Sequence, residues 1–460
     1  MIDASSVIQT SASVSHVYDL LVIGGGVVGL ACLRTATLQG WKCALVEAQP
    51  DLLSQASGSN SGIVCTGVDA APGSLERALI RDSVSQFRIY CQEHNIPTRP
   101  CGSLVCQWEW NTKIDFSNND VPISSSFLQD VLEESHNAGD THATIMSRDE
   151  ILTEEPNLSQ QIIGAVHIPG EIVVDPWLYS VSLAIHAMEN GADIYTNYPV
   201  DLDSLGFENG VWTLRRQTRD KSKNHHEWRL QAKAVVNAAG VWSDTVQTAA
   251  MPTTESPWTS KPRRGQYRIY ESRPSTRITH PIQPIPTPRT KGIFVFSTIY
   301  NQLVVGPTAE DQCSRTDRTI DQTVAKNLDD YIQRIIPSIQ PEHDLVGEYV
   351  GIRPGTNQRD YQIHVSPDKH WIAVAGIRST GLTASLGIGN YVMRQLPSFL
   401  GPAPQAPTNI HTTPLPNLKQ LVRDFDTLNG FVILNGVKFR VTHPLSVHGL
   451  KSLAERTHKD

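Results

Sequence analysis

In the stretch "VYDLLVIGGGVVGLACLRTATLQGWKCALVEAQP", residues 17–50, Gly24, Gly26 and Gly29 hold the spacing G-x-G-x-x-G. Glu47 follows at about the 20-residue interval of a ribose-binding acid. This set suits the binding of a dinucleotide. The first glycine permits a tight turn, the second lets a pyrophosphate reach the backbone, and the third lets a helix pack on a strand. The N-terminus of that helix then faces the phosphate charge. A glycine triplet alone marks no more than a turn, so the flanking elements decide. Residues 18–23 form a compact apolar run of the kind buried on both faces of a sheet, and the stretch after the glycines predicts a helix stopping at Gly40. Residues 41–46 predict a second strand ending at Glu47. Strand, glycines, helix, strand and acid in that order point to a dinucleotide site and leave NAD and FAD both open.

The chain has 460 residues, enough for two domains or for one large domain with a subordinate one. A hydrophobic content of 39% and a charged content of 18% suit a globular protein. Net charge is −7 without a long basic run, which argues against nucleic acid and anionic membrane as partners. No apolar stretch is long enough to span a bilayer as an integral membrane segment. The first sixteen residues are Ser-rich, with no Arg and no apolar core, which argues against a secretory leader and leaves a short organellar presequence open. Seven scattered cysteines include no Cys-x-x-Cys pair, so zinc and iron–sulfur ligation have no support and no metal site is expected. Buried reduced thiols, Cys101 and Cys106 included, are the expectation, and they point to an intracellular compartment, cytoplasm or mitochondrion.

Three later segments extend the dinucleotide reading. "SQASGSNSGIVCTG", residues 54–67, is small, polar and Gly-rich, suited to wrapping a ligand with backbone and hydroxyl donors. "AKAVVNAAGVWSD", residues 232–244, is an apolar strand ending in small residues that let the chain pass close to something. "WIAVAGIRSTGLTASLGIGNYV", residues 371–392, reads as strand, Gly-containing turn and helix. With "EPNLSQQIIGAVHIPGEIVVDPWLYSVSLAIHAMENGA", "LVVGPTAED" and "VGIRPG" they form a set in a definite order. On these residues the sequence resembles the FAD-dependent oxidoreductases of the D-amino-acid oxidase-like superfamily. The likeness is to the anaerobic-type glycerol-3-phosphate dehydrogenases and the L-2-hydroxyglutarate dehydrogenases, and it runs from about Tyr18 to about Leu400.

The resemblance implies an α/β fold: a Rossmann-type FAD-binding domain with an inserted antiparallel-sheet substrate domain. The boundaries expected are 17–80, 150–250 and 345–400 for the discontinuous FAD domain, and 81–149 with 251–344 for the inserted one. Residues 401–460 then form a Pro-rich linker and a tail. Local patterns agree. Asp175 and Pro176 suit the N-cap and first position of a helix closed by Gly191. Asn209–Gly210 and Asn435–Gly436 each suit a hairpin turn, and Val324, Leu328, Tyr331, Ile332 and Ile335 make one helical face.

The resemblance also assigns roles. FAD would be held by Gly24, Gly26, Gly29, Glu47, Asn60, Ser61, Ala239 and Gly240, with Val200 contacting the adenine through its backbone. Gly381, Leu382 and Thr383 would bring a helix N-terminus to the flavin ring, where negative charge develops on reduction; by itself the stretch reads as a Thr-capped helix start. Arg353 matches an arginine that holds the substrate's anionic group, a task suited to a planar fork of donors. Otherwise it is a structural ion pair. Cys65 stands where the relatives usually carry His, and a Cys at an ordinary pKa is a poor base at neutral pH. Arg378 is a second departure, either an anion ligand near the flavin or a solvated charge. The function implied is hydride transfer to flavin from a small anionic substrate, either glycerol 3-phosphate-like or a 2-hydroxy acid. An amine or amino-acid oxidase and a flavin-binding protein without turnover are the alternatives. No haem, iron–sulfur or transmembrane segment marks the electron acceptor, which stays unknown.

Overall fold

The computed structural model describes residues 16–110, 127–217, 229–286 and 292–457. The N-terminal stretch read for a leader therefore lies almost wholly outside the described residues. Strand Val17–Ile23 is central to the first sheet. From Leu20 onward its side chains alternate between two cores: Leu20 and Val22 point into one, Leu21 and Ile23 into the other. This is the both-faces burial that its unbroken apolar run predicts. It pairs in parallel with Cys43–Val46 on one side and Arg229–Asn237 on the other, through Leu20 opposite Cys43 and Ala234. Asp193–Tyr195 extends the parallel ladder beyond Cys43–Val46. The hairpin Gly206–Glu208/Val211–Arg215 joins antiparallel to the first half of Arg229–Asn237. Trp371–Ala375 joins in parallel to the second half. Asn209 and Gly210, at φ 51° and 78°, make the turn expected of the hairpin.

Helices Val27–Leu38, Pro176–Glu189 and Gly381–Met393 cover one face of this sheet. Gly389 lies against the Ala31 carbonyl of helix Val27–Leu38 and Gly387 against the Leu79 carbonyl of helix Leu75–Glu93, so helix Gly381–Met393 sits at backbone contact with both. Its N-terminus is thereby fixed in position. Helix Val27–Leu38 is followed by Gly40 at φ 90°, the stop read from the sequence.

The second sheet is nine-stranded and mostly antiparallel. It runs from Glu310–Asp311 through Arg263–Tyr270, Leu303–Gly306, Phe294–Ser297 and Ile282–Pro284 to Ser103–Trp108, Ile162–Ile168 and Thr144–Ser147. Within this mostly antiparallel sheet Ile282–Pro284 and Ser103–Trp108 pair in parallel. Helix Gln322–Ile335 packs on it through Leu328, Tyr331, Ile332 and Ile335.

Two strands fall across the expected boundaries. Ile162–Ile168 pairs with Ser103–Trp108, and Leu345–Arg353 runs the length of Arg263–Tyr270, so both belong to the second sheet. The physical reason is continuity. Each leads directly into a cofactor-side segment: Ile162–Ile168 through the turn at Pro169–Gly170 into Ile172–Val174, which pairs with Ile63–Val64, and Leu345–Arg353 into the loop before Gln362–Ser366. Pairing partners, not the motifs, place them.

The C-terminal segment is built into the molecule. Leu415, Leu421, Val422, Phe425, Val432, Leu434, Phe439, Leu450 and Ala454 enter the main core. Asp175 caps its helix by accepting from the Trp177 and Leu178 N–H groups, as its sequence position predicts. It also accepts from the hydroxyls of Tyr300 (2.6 Å), from the second sheet, and Ser446 (3.0 Å), from helix Pro444–Thr457. No helix among the described residues is long and apolar enough to cross a membrane, and no cluster among them could hold a metal ion.

Candidate functional site

The three glycines do three different things. Gly24 has φ 114°, and a Cβ there would meet the Ala238 carbonyl oxygen at 2.5 Å. Gly29 packs still closer, its Cβ position 2.0 Å from the carbonyl oxygen of Gly24. Gly26, the N-cap of helix Val27–Leu38, is open: its Cβ would meet only Ser57 Oγ, at 3.1 Å. Strand ends and helix start therefore leave bare backbone facing outward at one residue of the motif. Ser57 Oγ accepts from the Val27 N–H (2.9 Å), which ties the second segment to the helix start. The Glu47 carboxylate accepts from the Gly25 and Gln49 N–H groups, at 2.7 and 2.8 Å. Burial pushes its pKa up while those amides pull it down.

These groups open into one cavity of about 1220 Å³. Gly24, Gly26 and Glu47 line it, as do Asn60, Ser61 and Cys65 from the second segment and Ala239 and Gly240 from the third. Val200, bridged to Arg216, lines it at the Glu47 side with Tyr198 and Leu202. Gly29 stands behind the turn and Thr383 behind the last helix, so neither reaches the lining. The Asn60 side chain is spent within its own loop, donating to the Ser57 carbonyl and accepting from the Gly62 N–H.

Gly381 and Leu382 line the same cavity at the start of helix Gly381–Met393. An α-helix leaves its first N–H groups without intrahelical partners. Thr380 occupies the N-cap position, yet its hydroxyl makes no cap bond. It meets the Tyr361 hydroxyl at 2.6 Å and donates to Glu76 Oε1 at 2.7 Å. The Thr-capped reading of this helix start is thus corrected: the side chain is drawn off by Glu76, and the terminal amides stay available to the cavity. Thr383 Oγ1 accepts from the Cys65 N–H at 3.3 Å and lies 3.7 Å from Cys65 Sγ, joining this helix to the segment that carries the cysteine.

Arg353 ends strand Leu345–Arg353 at the cavity wall. Its guanidinium lies against Gly265 and donates to the carbonyls of Thr308 (2.9 Å) and Arg264 (3.3 Å). It has no ion pair among the described residues, which removes the structural salt bridge as its purpose. Burial pulls its pKa below the usual arginine value, with the nearby Tyr267 and Glu310 opposing. Tyr267, also on the wall, stacks on Tyr349 with centroids 4.4 Å apart. Burial pushes its hydroxyl up to about 12, so it stays protonated at neutral pH. Arg378 lines the cavity too, half-buried and donating to the Gln358 carbonyl. It makes no ion pair with a carboxylate among the described residues.

Sequence reasoning missed Glu171. It is 3% exposed, lines the cavity, and accepts from Gln283 Nε2 at 2.6 Å. Ile172 pairs with Val64, which brings Glu171 and Cys65 side by side at the ends of adjacent strands. Among the described residues no histidine lines the cavity. The signal for Glu171 lay in the pairing of two short strands far apart in the chain, which no local pattern encodes.

Known proteins resemble this chain. The chain is similar to a glycerol 3-phosphate dehydrogenase of Caloramator mitchellensis, 28% identical over 380 residues that cover 82% of this chain and 73% of that one. It is similar also to the mitochondrial L-2-hydroxyglutarate dehydrogenase of Nematostella vectensis, 25% identical over 283 residues, 60% of this chain and 58% of that one. The dithionite-reduced L-alpha-glycerophosphate oxidase of Mycoplasma pneumoniae, solved with FAD bound, has the same fold. Its TM-score is 0.75 at 23% identity, over 87% of this chain and 98% of that one. Residues 19–395 match the family described as FAD dependent oxidoreductase, a span that holds the glycine turn, Cys65, Arg353 and the helix at Gly381. The chain belongs to that family and is an FAD-dependent oxidoreductase.

Proposed function

We propose that the cavity holds FAD along its length and oxidises a small anionic substrate at the Arg353 end, with glycerol 3-phosphate first and L-2-hydroxyglutarate or another 2-hydroxy acid second. The residues fit the cofactor. Gly26 offers open backbone beside a helix N-terminus, which suits a pyrophosphate. Glu47 keeps carboxylate lone pairs beyond its two amide bonds, which suits ribose hydroxyls. The volume exceeds the roughly 300–1,000 Å³ of an ordinary small-molecule pocket, as a dinucleotide with a substrate beside it requires. Bound FAD supplies a two-electron acceptor for hydride.

The chain's own residues do the rest. The free amides of Gly381 and Leu382 present positive dipole ends where negative charge develops. Arg353 carries the reading of the substrate: a guanidinium pinned by two carbonyls, with no carboxylate partner among the described residues, is a preorganised fork for a phosphate or carboxylate. Glu171 is the buried carboxylate placed to take the proton of a substrate hydroxyl, in the role the relatives' histidine suggested for position 65. No disulfide joins any of the seven cysteines, all of which lie among the described residues, which supports a reducing compartment, cytoplasm or mitochondrion. The test is anaerobic addition of each substrate to the yellow protein. Glycerol 3-phosphate or L-2-hydroxyglutarate should bleach the flavin; bleaching by neutral amino acids alone would transfer the protein to the amine-oxidising reading.

A further inference from the structure

Residues 311–319 leave the second sheet and cross to the first. The two ends of the segment are fastened to their own sheet: the Gln312 N–H donates to the Pro262 carbonyl (3.1 Å), and Arg264 Nη1 donates to the Thr319 carbonyl (3.2 Å). Between them Cys313, Ser314, Thr316 and Asp317 are exposed, while Arg315 and Arg318 turn inward. Ser314 Oγ holds the bend by accepting from the Thr316 and Asp317 N–H groups.

The two arginines reach opposite lips of the cavity. Arg315 grips the third cofactor segment. Its Nη1 and Nη2 donate to the two oxygens of Asp244 at 2.6 and 3.0 Å, and Nη1 also reaches the Val241 carbonyl at 2.7 Å. Its guanidinium lies over the Trp242 ring, 5.1 Å from the centroid. Arg318 grips the second cofactor segment, donating to the Ser54 carbonyl (3.1 Å) and to Gln55 Oε1 (2.7 Å). Gln55 and Ser57 line the cavity on one side, Gly240 and Trp242 on the other, and Gln312 and Thr316 of the crossing segment line it between them. Ser57 in turn holds the Val27 N–H at the glycine turn.

We propose that residues 311–319 form a strap that governs entry and exit of FAD, with Arg315 and Arg318 as its two fastenings. The proposal rests on the reading that this cavity holds FAD. A bidentate arginine–carboxylate pair that is largely withdrawn from water is strong and directional, and the Arg318 contacts add a second closure. A dinucleotide lying between the two lips passes out only when the segment lifts. The strap thus acts on the rate of exchange in both directions, whereas a residue that merely adds a contact to FAD slows release alone.

The experiment measures FAD release on dilution, by flavin fluorescence, and FAD rebinding to the flavin-free protein. It compares the wild type with Arg315→Gln, Arg318→Gln and the double variant. Charge-assisted contacts of this kind are each worth about 10-fold or more. Release and rebinding should both quicken by about 10-fold in each single variant and about 100-fold in the double. Arg318→Gln breaks no ion pair among the described residues, so it carries the test if the double variant does not fold. Release faster with rebinding unchanged would overturn the strap, as would wild-type rates in both directions. A wild-type protein that holds no FAD would overturn the cavity assignment itself, a failure distinguishable from the other two.

Discussion

A Cβ on Gly29 would stand 2.0 Å from the carbonyl oxygen of Gly24, while one on Gly26 would meet nothing nearer than Ser57 Oγ at 3.1 Å. Two glycines three residues apart in one motif therefore fail in different ways. Gly29→Ala forces backbone apart at the core and should cost about 3 kcal/mol or more, read as a fall in Tm. Gly26→Val should fold with a nearly normal Tm and lose its flavin, since the methyls fill the space a pyrophosphate needs. The wild type should release FAD and not FMN on denaturation. A Gly26→Val protein with the wild-type flavin ratio would reduce the motif to a turn.

Arg353→Lys keeps the positive charge and loses the paired donors. Loss of such a charge-assisted contact should lower kcat/KM by about 10- to 100-fold, or roughly 1.5–3 kcal/mol, and Arg353→Ala should be worse. Flavin content should not change in either. Full-rate flavin reduction in a flavin-loaded Ala variant would take Arg353 out of the substrate site.

Glu171→Gln preserves shape and the contact with Gln283 while removing the carboxylate. General-base contributions are typically about 100- to 10,000-fold, so substrate-dependent flavin reduction should slow by at least about 100-fold with FAD still bound. A rate within about 3-fold of wild type would leave Glu171 a structural acid, since a true base carries far more.

Burial holds two histidines neutral. His186 and His443 are each pushed down to about 3, whereas an unfolded imidazole titrates near 6.5. Between those values the unfolded chain binds protons that the folded chain refuses, so stability falls as pH drops from about 6.5 toward 3. Each histidine contributes about 1.4 kcal/mol per pH unit across that window, or roughly 2 kcal/mol by pH 5. The Tm should therefore fall between pH 7 and pH 5, and less steeply in His443→Gln. Equal slopes in the two proteins would show that His443 takes up its proton without unfolding.

What the sequence disclosed and what it concealed follow one division. The glycine turn and the hairpins at Asn209–Gly210 and Asn435–Gly436 are dictated by backbone conformations that few residues adopt, and the Asp175 cap by a side-chain oxygen set beside unpaired helix amides, so all are written locally. Membership of the two sheets is not. The run in Ile162–Ile168 would serve a buried strand in either, and only its pairing with Ser103–Trp108 decides. Glu171 was silent for the same reason. Proline-rich composition made residues 401–416 look like a free linker, because proline suits neither helix nor strand. Yet the segment is moored by the Leu415 N–H to the His94 carbonyl and the Thr413 N–H to Glu189, which no periodicity announces.

The Asp175 carboxylate has consequences for how the chain is made. Its partners come from its own helix, from Tyr300 and from Ser446. A ribosome delivers them in that order, and the last, Ser446, emerges 271 residues after Asp175. Until then a carboxylate destined for full burial has one of its donors missing and the surface that covers it unmade, so it stays hydrated and the helices around it stay apart. Closure of the two sheets about their shared interior thus waits on Ser446 and the helix that carries it, and a nascent chain stalled before Ser446 should be the form that chaperones hold and proteases find.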